Sequence, residues 1–143
     1  MTAPGTARLP AAPATLKVGD QMPSGEVGPL TRTDFVRYAG AGGDLNPIHH
    51  DEEFARNAGL PSVFGMGMLH AGMLGNRLAR WVGPRNIEEL TVRFTGQVWP
   101  GDVLSFQGEV EAIADSVATI ALRVANQRDE TVLRAWAKAR VQP

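Results

Sequence analysis

The sequence predicts an α+β fold in which an antiparallel β-sheet wraps around one long central α-helix. Three features point to it. The span Met66 to Val82 carries the longest helical pattern in the chain and is small and apolar around most of its circumference. After Arg85 the hydrophobic period changes to two over four successive segments. Short turn sequences separate those segments, so consecutive strands run antiparallel. A helix apolar on most sides needs a cover, and the strands supply it.

In chain order, Met1 to Ala14 is rich in Ala, Pro and Thr, has neither a basic start nor a continuous apolar run, and reads as a disordered tail rather than a signal peptide. The remainder, residues 15–143, reads as one domain. A strand is expected near Gly25 to Leu30. Thr31 to Tyr38 forms a short helix, with Thr31 as N-cap and Asp34 near the positive end of the dipole. Ala39-Gly40-Ala41-Gly42-Gly43 then dissolves it into a turn. Pro47 disfavours helical geometry at Asn46, so an extended, bent loop follows. Asp51 caps a second short helix, Glu52 to Ala58, closed by Gly59, and Ser62 to Gly65 is a further loop.

The long helix stops at Gly83-Pro84. Strand composition covers Ile87 to Val98, Val103 to Ile113, Val117 to Asn126 and Thr131 to Val141. The last strand places Leu133, Ala135, Ala137, Ala139 and Val141 on one face, with Val132, Arg134, Trp136, Lys138 and Arg140 on the other. This arrangement of elements is the hotdog architecture.

Composition narrows the function. A 43% hydrophobic and 20% charged chain with net charge −1 has no feature favouring nucleic acid or an anionic membrane as partner. No apolar run approaches a membrane span. Cysteine is absent, which excludes disulfides and thiolate chemistry and fits a cytoplasmic enzyme. Twelve arginines against two lysines match a coding bias better than phosphate recognition, although Arg77, Arg80 or Arg93 at a pocket mouth could meet a phosphate or an acidic carrier.

The chemistry concentrates in Gly43-Asp44-Leu45-Asn46-Pro47-Ile48-His49. A carboxylate and an imidazole five residues apart can share proton transfer if the loop folds both into one pocket. Asn46 could hold either partner or a water. The same residues also suit an Asx-type turn, and from the loop alone both readings stand. The start of the long helix, Gly65-Met66-Gly67-Met68-Leu69, adds free backbone N–H groups able to stabilise an oxyanion such as a thioester enolate. Small residues there also serve helix-to-sheet packing. His50, Asp51 and His70 with His49 lack a metal-binding pattern, because adjacent histidines in extended chain diverge and no His-x-x-x-His pair exists. No metal and no cofactor are expected. Met66, Met68 and Met73 read as core filler, and Trp81, Trp99 and Trp136 as packing or interface residues.

The run from Tyr38 to Ala55 resembles the hydratase-2 signature of the MaoC-like single-hotdog family, the (R)-specific enoyl-thioester hydratases and dehydratases: aromatic, small residues, Gly43-Asp44-Leu45-Asn46-Pro47-Ile48-His49, then Ala55. The likeness extends over roughly residues 15–141 and is strongest to small dehydratase subunits of type II fatty-acid elongation. The resemblance implies Asp44 and His49 as the catalytic pair, Asn46 as a positioning group and Gly67 as backbone donor to the thioester oxygen. It implies an acyl-CoA or acyl-carrier-protein substrate, and a homodimer or a heterodimer with another hotdog subunit. Departures exist. The family's frequent His-Gly-Met-Leu helix start is Met66-Gly67-Met68-Leu69 here, and Ala41 and Gly42 replace common residues. A hotdog thioesterase and an acyl-thioester-binding partner subunit are the alternatives.

Overall fold

The computed structural model describes residues 8–142. Two short strands, β1 (Ala14–Thr15) and β2 (Gly25–Val27), precede helices α1 (Arg32–Gly42) and α2 (Glu52–Asn57), with a single 3-10 turn, Pro47–His49, between the helices. The long helix α3 (Gly67–Val82) follows. After it come the strands β3 (Ile87–Phe94), β4 (Leu104–Ala114), β5 (Val117–Ala125) and β6 (Thr131–Gln142). Hydrogen bonding joins β2, β4, β5, β6 and β3 side by side in antiparallel pairs, and β1 runs parallel to the end of β6. The expected sheet and helix are both present.

Alternation fixes which face of the sheet is covered. Leu133, Ala135, Ala137, Ala139 and Val141 of β6 are buried, while Arg134, Trp136, Lys138 and Arg140 are exposed; Val132, expected with the latter, is buried instead, because the pairing with β5 skips it at a bulge. Phe106 and Val110 of β4 and Ile120, Leu122 and Val124 of β5 add to the same covered face. The run of alanines in β6 leaves room for α3 to approach, and Leu74, Leu78 and Val82 of that helix are fully buried in this core. Each such leucine side chain contributes about 1.5–3 kcal/mol by leaving water. The opposite side of α3 is not enclosed within the chain: Met68, Gly72, Asn76 and Arg80 are exposed. The helix is therefore more one-sided than its composition indicated. The small residues Gly72 and Gly75 had made an exposed face look apolar.

Three local expectations change. Helix α1 does not end at Tyr38 but continues through the glycine run to Gly42. At its start Thr31 accepts from the Asp34 N–H while Asp34 accepts from the Thr31 N–H at 2.8 Å, a reciprocal cap that satisfies two of the first free donors. The stop is Gly43 alone, at φ 74°, whose N–H returns to Ala39 O at 2.9 Å. The loop after it is not extended throughout, because Pro47 occupies the first position of the 3-10 turn, where its missing N–H costs nothing. Strand β3 ends at Phe94, and residues 95–98 turn away to reach the site. Of the expected tail, residues 1–7 lie outside the described residues; the main chain of Pro10 packs against Gly83, and Ala14 opens β1. Among the described residues no helix is long and apolar enough to cross a membrane.

Candidate active site

The end of α1, the 3-10 turn and the first turn of α3 converge on one cavity of roughly 490 Å³, bordered on its far side by Phe94 and Gln97. Asp44, His49 and Gly67 all line it. Asn46 does not. Its backbone N–H donates to Asp44 Oδ1 at 3.3 Å, and its side-chain oxygen accepts from the Ile48 N–H at 3.2 Å. Asn46 thus caps the turn that carries His49 and ties it to Asp44 from outside the cavity.

His49 is held on three sides. Its Nδ1 lies 2.7 Å from the carbonyl oxygen of Phe64, and its ring meets the Phe64 ring edge-on with centroids 4.9 Å apart. Phe64 is braced by Trp99, and the neighbouring Gly65 N–H donates to Val98 O at 2.8 Å, which anchors this loop to the segment that follows β3. A carbonyl only accepts, so Nδ1 carries a proton, and the neutral form of the ring presents the lone pair of Nε2. That nitrogen stands 3.5 Å from Asp44 Oδ2. The His49 side chain is 9% exposed and that of Asp44 46%, so the pair spans the cavity from wall to mouth. With Nε2 unprotonated, this nitrogen and the carboxylate are both acceptors, close enough for one water beside them to donate a hydrogen to each.

Gly67 is the first residue of α3, and none of the described main-chain hydrogen bonds uses its N–H. A side chain there would collide with the ring of Phe94, 2.7 Å from the Cβ position, so glycine is what admits that ring to the helix start. The helix terminus thereby offers a donor at the positive end of its dipole, on the cavity that holds the carboxylate–imidazole pair.

Other residues anticipated for roles fall elsewhere. Met68 is not core filler: it is 57% exposed and borders the cavity, whereas Met66 is buried. His50 turns away from His49, its Nε2 lying 3.4 Å from Leu45 O. Among the described residues no three His, Cys, Asp or Glu side chains gather as metal ligands. Arg77 and Arg80 border a separate cavity of roughly 230 Å³ beside Trp81, with the Arg77 guanidinium over the Phe106 ring, so neither stands at the catalytic mouth. Arg93 lies opposite Arg134 on the sheet.

Sequence reasoning missed Phe64, Phe94 and His70. Phe64 acts through its main-chain carbonyl, which no residue pattern reveals. His70 is 2% exposed, borders the cavity, and neither ring nitrogen has a hydrogen-bond partner among the described residues. Burial pushes its pKa down to about 4, so the ring is neutral at physiological pH. An unpartnered buried polar group costs about 1–3 kcal/mol. Its position three residues after Gly67, on the same helix face, was the available signal.

A family model for the MaoC-like domain matches residues 11–132. The chain is 35% identical over 97 residues to 3-hydroxyacyl-thioester dehydratase Y of Mycobacterium tuberculosis, a match covering 65% of this chain and 33% of that protein. It is 34% identical over 111 residues to a mitochondrial 3-hydroxyacyl-[acyl-carrier-protein] dehydratase of Arabidopsis thaliana, covering 76% of this chain and 58% of the relative. The chain thus spans about a third to somewhat over half the length of these two relatives. A solved MaoC-like dehydratase superposes with TM-score 0.84 at 32% identity, over 98% of this chain and 46% of the other. The R-hydratase PhaJ1 of Pseudomonas aeruginosa does so with TM-score 0.78 at 27% identity, over 89% and 84%. With its curled sheet packed on α3 and its cavity at the helix start, this chain has the hotdog fold and belongs to the MaoC-like domain family.

Proposed function

We propose that this protein catalyses the reversible addition of water to trans-2-enoyl thioesters, giving (R)-3-hydroxyacyl thioesters. The observation that carries this reading is the convergence of Asp44, His49 and the free Gly67 N–H on one cavity. The thioester oxygen accepts from Gly67, which draws electrons from the conjugated double bond and leaves Cβ electrophilic. Water held between Asp44 and His49 Nε2 attacks Cβ. The pair takes one proton from that water and returns one to Cα, so the net change is the addition of H and OH across the double bond. Asp44 and His49 act as one coupled unit in this step. The Phe64 carbonyl keeps Nδ1 protonated and Nε2 aimed at the water. The similarity to proteins named 3-hydroxyacyl-thioester dehydratase and R-hydratase supports the same chemistry.

The substrate is an acyl-CoA or acyl-carrier-protein thioester. Its carrier arm leaves through the mouth at Asp44 and Met68, and its acyl arm turns inward. The assembly is a dimer of hotdog domains, as a homodimer or with a second hotdog chain. The outer edge of β3 has no strand partner among the described residues, and Leu90 is exposed on that strand. Native mass measurement tests this directly.

Assay of the purified protein with crotonyl-CoA and longer trans-2-enoyl-CoAs tests the activity. Loss of the conjugated double bond without release of free thiol is expected. Thiol release would assign a thioesterase instead, and no reaction with any enoyl-CoA would overturn the proposal.

A further inference from the structure

The mechanism leaves His70 unused. The ring borders the same cavity as His49 but belongs to its buried end: Asp44, Met68 and Phe94 are each more than two-fifths exposed, whereas His70 is 2% exposed. Both ring nitrogens are shut off from solvent and have no hydrogen-bond partner among the described residues. The nearest cover is the ring of Phe94, edge-on to His70 with centroids 5.9 Å apart and resting on Gly67. Phe94 is half-exposed at the end of an edge strand, so its side chain has room to swing outward.

We propose that His70 is a specificity-determining residue, selecting enoyl thioesters whose acyl group carries an uncharged oxygen, a hydroxyl or a carbonyl, that displaces Phe94 and hydrogen-bonds to the imidazole. This rests on the hydratase reading above. The direction follows from the two arms of the thioester. With its oxygen at Gly67, the carrier arm must lead to solvent because the carrier cannot enter the protein, and the acyl arm is left to run toward the buried end. Helix rise places His70 only about 4.5 Å along the axis from Gly67, so the contact falls within the first few carbons beyond the reacting pair. The chemistry matches as well. A neutral imidazole has one N–H donor and one lone pair, and can donate to a carbonyl or accept from a hydroxyl. A carboxylate would bring an uncompensated charge into a buried site and is selected against. A plain alkyl chain leaves both nitrogens unpaired. Sites that hydrogen-bond a substrate oxygen discriminate strongly against analogues without it, for that reason.

The test uses the full chain and matched pairs of trans-2-enoyl-CoAs of equal length, one member alkyl and the other carrying a hydroxyl or keto group at C4, C5 or C6. The wild-type protein should show kcat/KM at least ~10-fold higher for one oxygenated member than for its alkyl partner. His70→Leu should remove that preference while retaining turnover of the alkyl member. Should His70→Leu fail to fold, the wild-type preference decides by itself, and His70→Asn, which keeps a donor and an acceptor, serves as the second variant. Equal kcat/KM within every pair in the wild type overturns the assignment, and so does a uniform loss with all substrates in His70→Leu, which would make the ring part of the general machinery. Turnover of alkyl enoyl-CoAs without preference sinks this inference alone; no turnover of any member sinks the hydratase reading.

Discussion

His49 and His70 border one cavity and differ in almost every physical respect. His49 sits on a short 3-10 turn, with one nitrogen bonded to the Phe64 carbonyl and the other facing Asp44. His70 sits inside the first turns of α3, and both its nitrogens are unpaired. The turn spends its hydrogen bonds on aiming one ring, whereas the helix buries the other at a cost in stability. A group that is fully positioned before substrate arrives suits proton transfer. A group left unpaired until something displaces its cover suits recognition. The comparison shows that residue type alone says little about role, since the bonding already in place decides what remains available.

The largest effect expected from this contrast is catalytic. His49→Ala and Asp44→Asn should each lower enoyl-CoA hydration by about 100-fold or more, as measured by initial rates, with the fold checked by circular dichroism. His70→Leu should spare the alkyl substrates.

Gly67 offers a sharper pair. Gly67→Ala and Gly67→Pro both push on Phe94, but only proline removes the N–H, and proline is tolerated at the first position of a helix. Met66 already has the extended geometry that a residue before proline requires, at φ −63° and ψ 135°. Gly67→Pro should be a further ~100-fold slower in kcat than Gly67→Ala. Equal rates would remove the main-chain donor from the mechanism.

Stability separates the two rings next. The folded-state pKa of His70 is lowered to about 4 from 6.5 by burial, so the unfolded chain binds a proton that the folded chain refuses between those values. Stability therefore falls as pH drops from 6.5 toward 4, by no more than about 3 kcal/mol from this residue. Urea unfolding of wild type and His70→Leu at pH 7 and 4.5 checks it, the variant losing less on acidification. The smallest effect is that of Asn46→Ala, which removes the cap on the His49 turn and should cost about 1 kcal/mol of stability. Its activity should fall by less than that of either member of the pair, with kcat affected before KM.

Much of this was legible in the sequence because it rests on local rules. The period-two alternation of Leu133 to Val141 fixed the buried face of β6, and the small, apolar run closed by Gly83-Pro84 marked α3. The pairing of Asp44 with His49 was legible as spacing, and Gly67 as a glycine at a helix start. What was not legible depends on tertiary contact. Which of Gly40, Gly42 and Gly43 takes the left-handed stop is not readable from the run itself, and the chain uses Gly43. Met68 looked like core filler, yet the sheet covers only one side of its helix. The partner of His49 is a carbonyl, invisible to any residue pattern. The isolation of His70 required knowing which groups stand around it.

The most direct test of the central claim is a double-mutant cycle on Asp44 and His49, read as kcat/KM for crotonyl-CoA hydration. If the two groups hold one water and act as a unit, each single variant loses ~100-fold or more and the double variant loses little beyond the worse single. Losses that multiply, or a single variant with wild-type activity, would contradict the shared-water pair on which this account of the cavity rests.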